Sequence, residues 1–118
     1  MPVATTCTVS LDGAVGHVVT VQADVSSGMV RTDLVGRVDQ SLNEARDRVR
    51  MAITNSDLPW PATKRITVLL APADLRKRGT HHDLGIALAV LGAEGAVDPV
   101  LLKHCLYVGE LMLDESRT

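Results

Sequence analysis

The chain has 118 residues, 46% of them apolar, and a net charge of −2. That length fits a single domain burying about 65% of its unfolded surface, and the apolar share excludes disorder by low hydrophobicity. Aromatics are only 2%, with one Trp, one Tyr and no Phe, so the core falls to Val, Leu, Ile, Ala and Met, and recognition by base stacking finds little support.

Thr5 to Leu11 alternates Thr and Val with small residues and predicts a strand. Asp12-Gly13-Ala14 is a turn signal, and Gly16 to Val25 predicts the hairpin partner. Ser26-Ser27-Gly28 breaks that strand, and Met29 to Val35 predicts a third, ended by Gly36. The three strands are expected to form an antiparallel meander. Asp39 or Ser41 can cap the first helix, and Ser41-Leu42-Asn43-Glu44 fits the capping-box pattern. Leu42, Ala45, Val49, Ala52 and Ile53 fall on one helical stripe. Glu44 and Arg48, four apart, can pair on its outer face at about 0.3 kcal/mol. Pro59 and Pro61 stop the helix, and Trp60 between them reads as a packed lid over its end.

Arg65 to Leu70 is nearly continuously apolar and β-branched, which places it centrally in a sheet. Asp83 to Ala93 is apolar on almost every face and predicts a buried helix, stopped by Gly95. Asp98-Pro99 opens a connector, and Leu106 to Leu111 predicts a last strand. The order is three strands, helix, strand, helix, strand: an α+β two-layer domain with one mixed sheet and two main helices.

Charge is unevenly spread. Arg46 to Arg78 holds eight basic residues (Arg46, Arg48, Arg50, Lys64, Arg65, Arg76, Lys77, Arg78) against Asp47, Asp57 and Asp74, so that segment is +5 and the remainder −7. Such asymmetry permits a basic face. Cys7 and Cys105 lie near opposite ends with no paired spacing, which fits two small buried hydrophobes in a reduced, cytoplasmic protein. The N-terminus has no charged leader followed by an apolar run, and no uncharged apolar run approaches 20 residues, so neither a secretory signal nor a membrane span is expected.

Several blocks in fixed order carry a family likeness: Glu44-Ala45-Arg46-Asp47-Arg48-Val49-Arg50, Leu58-Pro59-Trp60-Pro61, Arg65-Ile66-Thr67-Val68, Ala71-Pro72-Ala73-Asp74-Leu75, Asp83-Leu84 with Ile86-Ala87-Leu88-Ala89, and Gly109-Glu110-Leu111. Weaker agreement covers Gly16-His17, Val21, Asp24, Gly28 and Leu34-Val35-Gly36. On these residues the chain resembles the N-terminal domain of the ComM/YifB family of magnesium-chelatase-like AAA+ proteins. The resemblance implies a fold like domain 2 of ribosomal protein S5, shared with the proteolytic domain of Lon. It also implies that an AAA+ ATPase module follows, in a hexameric, ATP-driven helicase for branch migration when transforming DNA is integrated. Residues 1–114 would be that domain and 115–118 a short tail. Gly36-Arg37-Val38-Asp39 stands where the family usually has Gly-Leu-Pro-Asp, and Gly79-Thr80-His81-His82-Asp83 replaces its Gly-Ser-small-aromatic-Asp turn. Asp114-Glu115-Ser116-Arg117-Thr118 ends the sequence where the family continues with a glycine and hundreds of residues, which suggests a cut piece or a truncated gene product.

The chemistry of a motor is not legible in these residues. A phosphate-binding loop needs glycine-flanked backbone N–H groups followed by Lys and Ser or Thr at a helix start, and no Gly-Lys-Ser or Gly-Lys-Thr occurs. ATP and magnesium are therefore expected only in the full-length family member, and this chain is expected to bind no cofactor. A Lon-like hydrolase would need a Ser–Lys dyad. The position resembling the serine is His81, and the only later lysine is Lys103. His81-His82-Asp83 invites a metal reading, but adjacent side chains diverge, and a polar turn with Asp83 or Thr80 capping the buried helix accounts for it. The expectation is a non-catalytic domain that assists ring assembly or DNA guidance, with its own AAA+ module, a homo-oligomer or DNA as partner. Arg76, Lys77, Arg78, Lys64 and Arg65 are the candidate contacts to DNA or a neighbouring subunit. The alternatives are a stand-alone interaction module and a residual Lon-like hydrolase.

Overall fold

The computed structural model describes residues 3–12, 15–77 and 79–112, with the backbone alone for 11 and 12. Four strands form one mixed sheet: β1 (Val3–Asp12), β2 (Val15–Ser26), β3 (Arg31–Val35) and β4 (Arg65–Ala71), in the order β1-β2-β4-β3. The helices are α1 (Gln40–Asn43), α2 (Ala45–Asn55), α3 (Asp83–Glu94) and α4 (Pro99–Leu102). The arrangement is α+β in two layers, as the element order predicts, with β4 in the sheet interior.

Alternation decides which face each strand buries. Val19, Val21, Ala23 and Val25 of β2 and Ile66, Val68 and Leu70 of β4 turn inward, where they meet Leu42, Ala45, Val49 and Ile53 of the first helices and Ile86, Ala89 and Val90 of α3. All five residues of the predicted helical stripe are buried. Trp60 and Leu34 pack against this core from its edge. Methionine contributes less than composition suggests, since Met29 and Met112 are largely exposed. The cysteines are not buried either: Cys7 is half-exposed on the sheet's outer face and Cys105 is exposed.

The antiparallel meander is corrected. β1 and β2 do form an antiparallel hairpin, from Val3↔Asp24 to Asp12↔Val15; Gly13 and Ala14 of its predicted turn lie outside the described residues. β3, however, pairs with β4, and in parallel, from Arg31↔Arg65 to Val35↔Leu69. β2 instead gives its second edge to β4, antiparallel. Strand, helix and strand from Arg31 to Ala71 make a crossover unit, which is the connection a parallel pair requires.

The first helix is also not one piece. Asp39 caps α1, its side chain accepting from the Leu42 N–H at 2.8 Å, and the chain kinks at Glu44 before α2 begins. The Ser41 capping box does not form. Gly95 ends α3 in the left-handed conformation at φ 90°. Within α3, a Cβ on Gly92 would lie 2.8 Å from Leu102 Cδ1 and 2.9 Å from Ala4 Cβ. Glycine there lets the helix approach β1 and α4 together.

The predicted last strand is reduced to a single parallel bridge, Cys7↔Leu106. The Tyr107 N–H donates to the Cys7 carbonyl at 2.8 Å, after which the segment leaves β1 for the start of α3. Gly109 N–H donates to the His81 carbonyl at 3.0 Å, and the Gly109 carbonyl accepts from Leu84 N–H at 3.0 Å. Its backbone groups are thus committed to a helix terminus, which stops it from continuing along the sheet. No helix among the described residues is long and apolar enough to cross a membrane.

Candidate functional site

The basic turn after β4 is laced to the segment before α1. Lys77 N–H donates to the Arg37 carbonyl at 2.7 Å, and Asp39 N–H donates to the Lys77 carbonyl at 3.0 Å. This short ladder directs the Lys77 side chain inward, where it is fully buried and its ammonium donates to the Pro72 carbonyl. Burial lowers the Lys77 pKa, against the opposing pull of Asp74. Gly36, at φ 121°, leaves room for this arrangement, because a Cβ there would meet the Leu70 carbonyl oxygen at 2.6 Å.

The predicted contact residues therefore do not form one site. Arg76 is exposed, Lys77 is inside, and Arg78 lies outside the described residues. Lys64 and Arg65 are exposed at the opposite end of β4, about 20 Å away along the strand. Lys77 as a surface contact is corrected: its side chain is enclosed and bonded to the Pro72 carbonyl. Changing Lys77 to Met is expected to keep the fold, with a stability change of under about 1.5 kcal/mol. Urea unfolding measures it, and a loss of several kcal/mol would restore an essential role for the charge.

Other cations come together instead. Arg31 and Thr32 of β3 face Arg46 and Arg50 of α2 across an open trough of about 430 Å³, with Asp33 and Asp47 also lining it. A second hollow of about 380 Å³ continues it past Arg31, Thr32 and Arg50 to Val30, Trp60, Pro61 and Lys64. Arg31 is held by Asp33 at 2.9 Å, while Arg46 and Arg50, one helical turn apart, are exposed. Sequence alone missed Arg31, because it lies outside the basic segment and reaches the others only through the parallel pairing of β3.

A second polar cluster lies inside. The Arg48 guanidinium grips Asp83 through two bonds, Nε to Oδ2 at 2.7 Å and Nη2 to Oδ1 at 2.9 Å. Nη2 also donates to the Ser41 carbonyl at 2.9 Å, and Leu111 N–H donates to Asp83 Oδ2 at 3.2 Å. Asp83 is fully buried and the Arg48 side chain only 18% exposed. The hydrogen bond to Asp83 raises the Arg48 pKa, its burial notwithstanding. The expected surface pair of Glu44 with Arg48 is thus replaced by a buried bridge between helices. Asp83 does not cap α3; nor does Thr80 through its side chain, and His82 occupies the cap position without a side-chain bond.

His82 is fully buried, and neither ring nitrogen has a hydrogen-bond partner among the described residues. Desolvation, then neighbouring His81, push its pKa down to about 4. His81, in the position resembling the Lon serine, places Nε2 2.7 Å from the Val9 carbonyl. The two rings sit 4.2 Å apart, tilted by 34°. Among the described residues, no group of three His, Cys, Asp or Glu is placed to hold a metal ion. The cluster's geometry ties α2, α3 and the C-terminal segment together.

Comparison with known proteins shows the family of the chain. The family described as subunit ChlI of Mg-chelatase matches residues 21–116. Competence protein ComM of Haemophilus influenzae is 44% identical over 101 residues, covering 86% of this chain and 20% of that protein. YifB of Escherichia coli is 45% identical over 95 residues, 80% of this chain and 19% of YifB. An uncharacterised protein of Mycobacterium tuberculosis is 42% identical over 106 residues, 90% of this chain and 21% of its own length. The chain thus spans about a fifth of the length of these relatives. With a match over most of its residues and the two-layer fold in place, the chain belongs to the magnesium-chelatase ChlI-like family, together with ComM and YifB.

Proposed function

We propose that this chain is a non-catalytic accessory domain of a ComM-type, magnesium-chelatase-like AAA+ ATPase that drives DNA branch migration, and that it serves assembly of the ring. One observation carries the assembly role over catalysis: the polar groups that chemistry could use hold the fold. Arg48 grips Asp83, Lys77 is bonded to the Pro72 carbonyl, and His81 lies against the Val9 carbonyl. What remains exposed is a cationic trough beside an edge strand, suited to holding another chain.

The test is a longer ComM-type protein with this domain present, deleted, or carrying Arg46→Glu with Arg50→Glu. Mass photometry with nucleotide is expected to show hexamers that shift towards smaller species in the deleted and charge-reversed forms. The 118-residue chain alone is expected to hydrolyse no ATP above buffer. Undiminished hexamers after deletion would remove the assembly role, and turnover by the chain alone would remove its non-catalytic character.

Guidance of DNA is the second reading, favoured by the convergence of Arg31, Arg46, Arg50 and Lys64. Phosphate contact would show as affinity for branched or single-stranded DNA that falls steeply between two salt concentrations. Absence of binding at low salt, by the chain and by the assembled motor, would eliminate it.

A further inference from the structure

Among the described residues, β3 is an edge strand. It pairs with β4 on one side, and its other side borders the trough whose far wall is α2. An edge strand presents unpaired N–H and C=O groups and is a template for a further strand unless it is covered or blunted. Here the blunting is slight, amounting to Asp33 and its pairing with Arg31. The opposite wall, α2, presents exposed Arg46 and Arg50 with one carboxylate, Asp47, while Arg31 and Asp33 pair with each other on β3, so the lining keeps a net positive charge. Further along, the lining turns apolar at Val30, Trp60 and Pro61. Val30 is 60% exposed, so an apolar surface is left open to solvent at that end.

These features specify an occupant. Strand addition supplies affinity through main-chain hydrogen bonds and specificity through alternate side chains. Guanidinium groups on the wall select carboxylates by charge-assisted bonds, while the apolar end takes one large aliphatic side chain. We infer that the trough between β3 and α2 binds an extended acidic polypeptide segment, added as a fifth strand to the edge of β3, with carboxylates against Arg46 and Arg50 and an aliphatic residue against Trp60. The inference deepens the assembly reading and rests on it for the origin of the segment, a neighbouring chain of the ring. Nucleic acid is disfavoured as the occupant, because it cannot return the main-chain hydrogen bonds of an edge strand, and Trp60 is packed against the core rather than free to stack on bases.

The test uses the 118-residue chain and fluorescein-labelled peptides in an anisotropy titration. The probe alternates Glu and Val and ends in Leu; companions carry Gln for Glu, or a central Pro that removes a strand donor. Polyglutamate and single-stranded oligothymidine are the remaining arms. Saturable binding of the Glu–Val peptide is expected, weakened roughly tenfold or more by the Gln or Pro changes and by the Arg46→Glu, Arg50→Glu variant. Both positions are exposed, and circular dichroism confirms that the variant folds. A second readout needs no variant: amide shifts on adding peptide should concentrate in 31–35 and 46–50.

Equal binding of the Pro peptide or polyglutamate would reduce the site to unspecific charge and overturn the proposal. So would tighter binding of oligothymidine in competition, shifts mapping elsewhere, or no binding at all. Failure here leaves ring assembly by the longer protein untouched. Conversely, undiminished hexamers after deletion of the domain, with peptide binding intact, would remove the assembly role and leave the site standing.

Discussion

Changing Arg48 to Met is expected to destabilise the domain by about 3–5 kcal/mol, because it leaves the Asp83 carboxylate buried without its counter-charge. The carboxylate is fully enclosed and held by Arg48 Nε and Nη2, with the Leu111 N–H as the one further donor among the described residues. Asp83→Leu alone should cost less, since Arg48 is 18% exposed and can swing its charge to water. The double change, Arg48→Met with Asp83→Leu, should recover much of the loss, because apolar groups of similar volume replace a buried pair at little cost. Urea unfolding of the four proteins closes the cycle. Additive losses in the double variant would show that the two residues act separately and that the bridge does not hold α2 to α3.

Acid is expected to unfold this domain through His82. Its folded pKa, depressed to about 4 by burial, lies below the ordinary value near 6.5, so between those values the unfolded chain binds the additional proton. Stability from this source is therefore fully present above about pH 6.5 and is lost as pH falls towards 4. The loss amounts to about 3 kcal/mol, at 1.36 kcal/mol per pH unit. His81 and Lys77 add to the depression and Asp39 opposes it. Replacing His82 with Leu removes a buried imidazole that lacks a hydrogen-bond partner among the described residues. The variant should match or exceed the parent at pH 7 and lose far less between pH 6.5 and 4. Thermal melts across that range decide it; parallel pH curves for parent and variant would show that other groups govern acid unfolding.

The stripe from Leu42 to Ile53 was legible because helical periodicity and burial are the same statement. The apolar runs Arg65 to Leu70 and Asp83 to Ala93 were legible for the same reason, one interior to the sheet and the other within the core. The partner of β3 was not, since alternation names the face of a strand and says nothing of its neighbour. Trp60 does pack on the core beside the helix end, as its position between two prolines suggests. The basic turn misled, because three consecutive cations look like one solvated feature until the 37–39 ladder turns Lys77 inward. The clue to the Arg48–Asp83 bridge was present but ambiguous: a lone carboxylate at the head of an apolar helix reads equally well as a cap.

By itself the sequence determined the layer architecture, the main buried residues and the family, since periodicity and the order of motifs are local properties that survive without coordinates. Only the tertiary structure decided which charges are shared, which are buried and which face outward. Those outcomes depend on strand order and on contacts between residues dozens of positions apart: Arg48 with Asp83, and Lys77 with the Arg37 carbonyl in the ladder that turns its side chain inward.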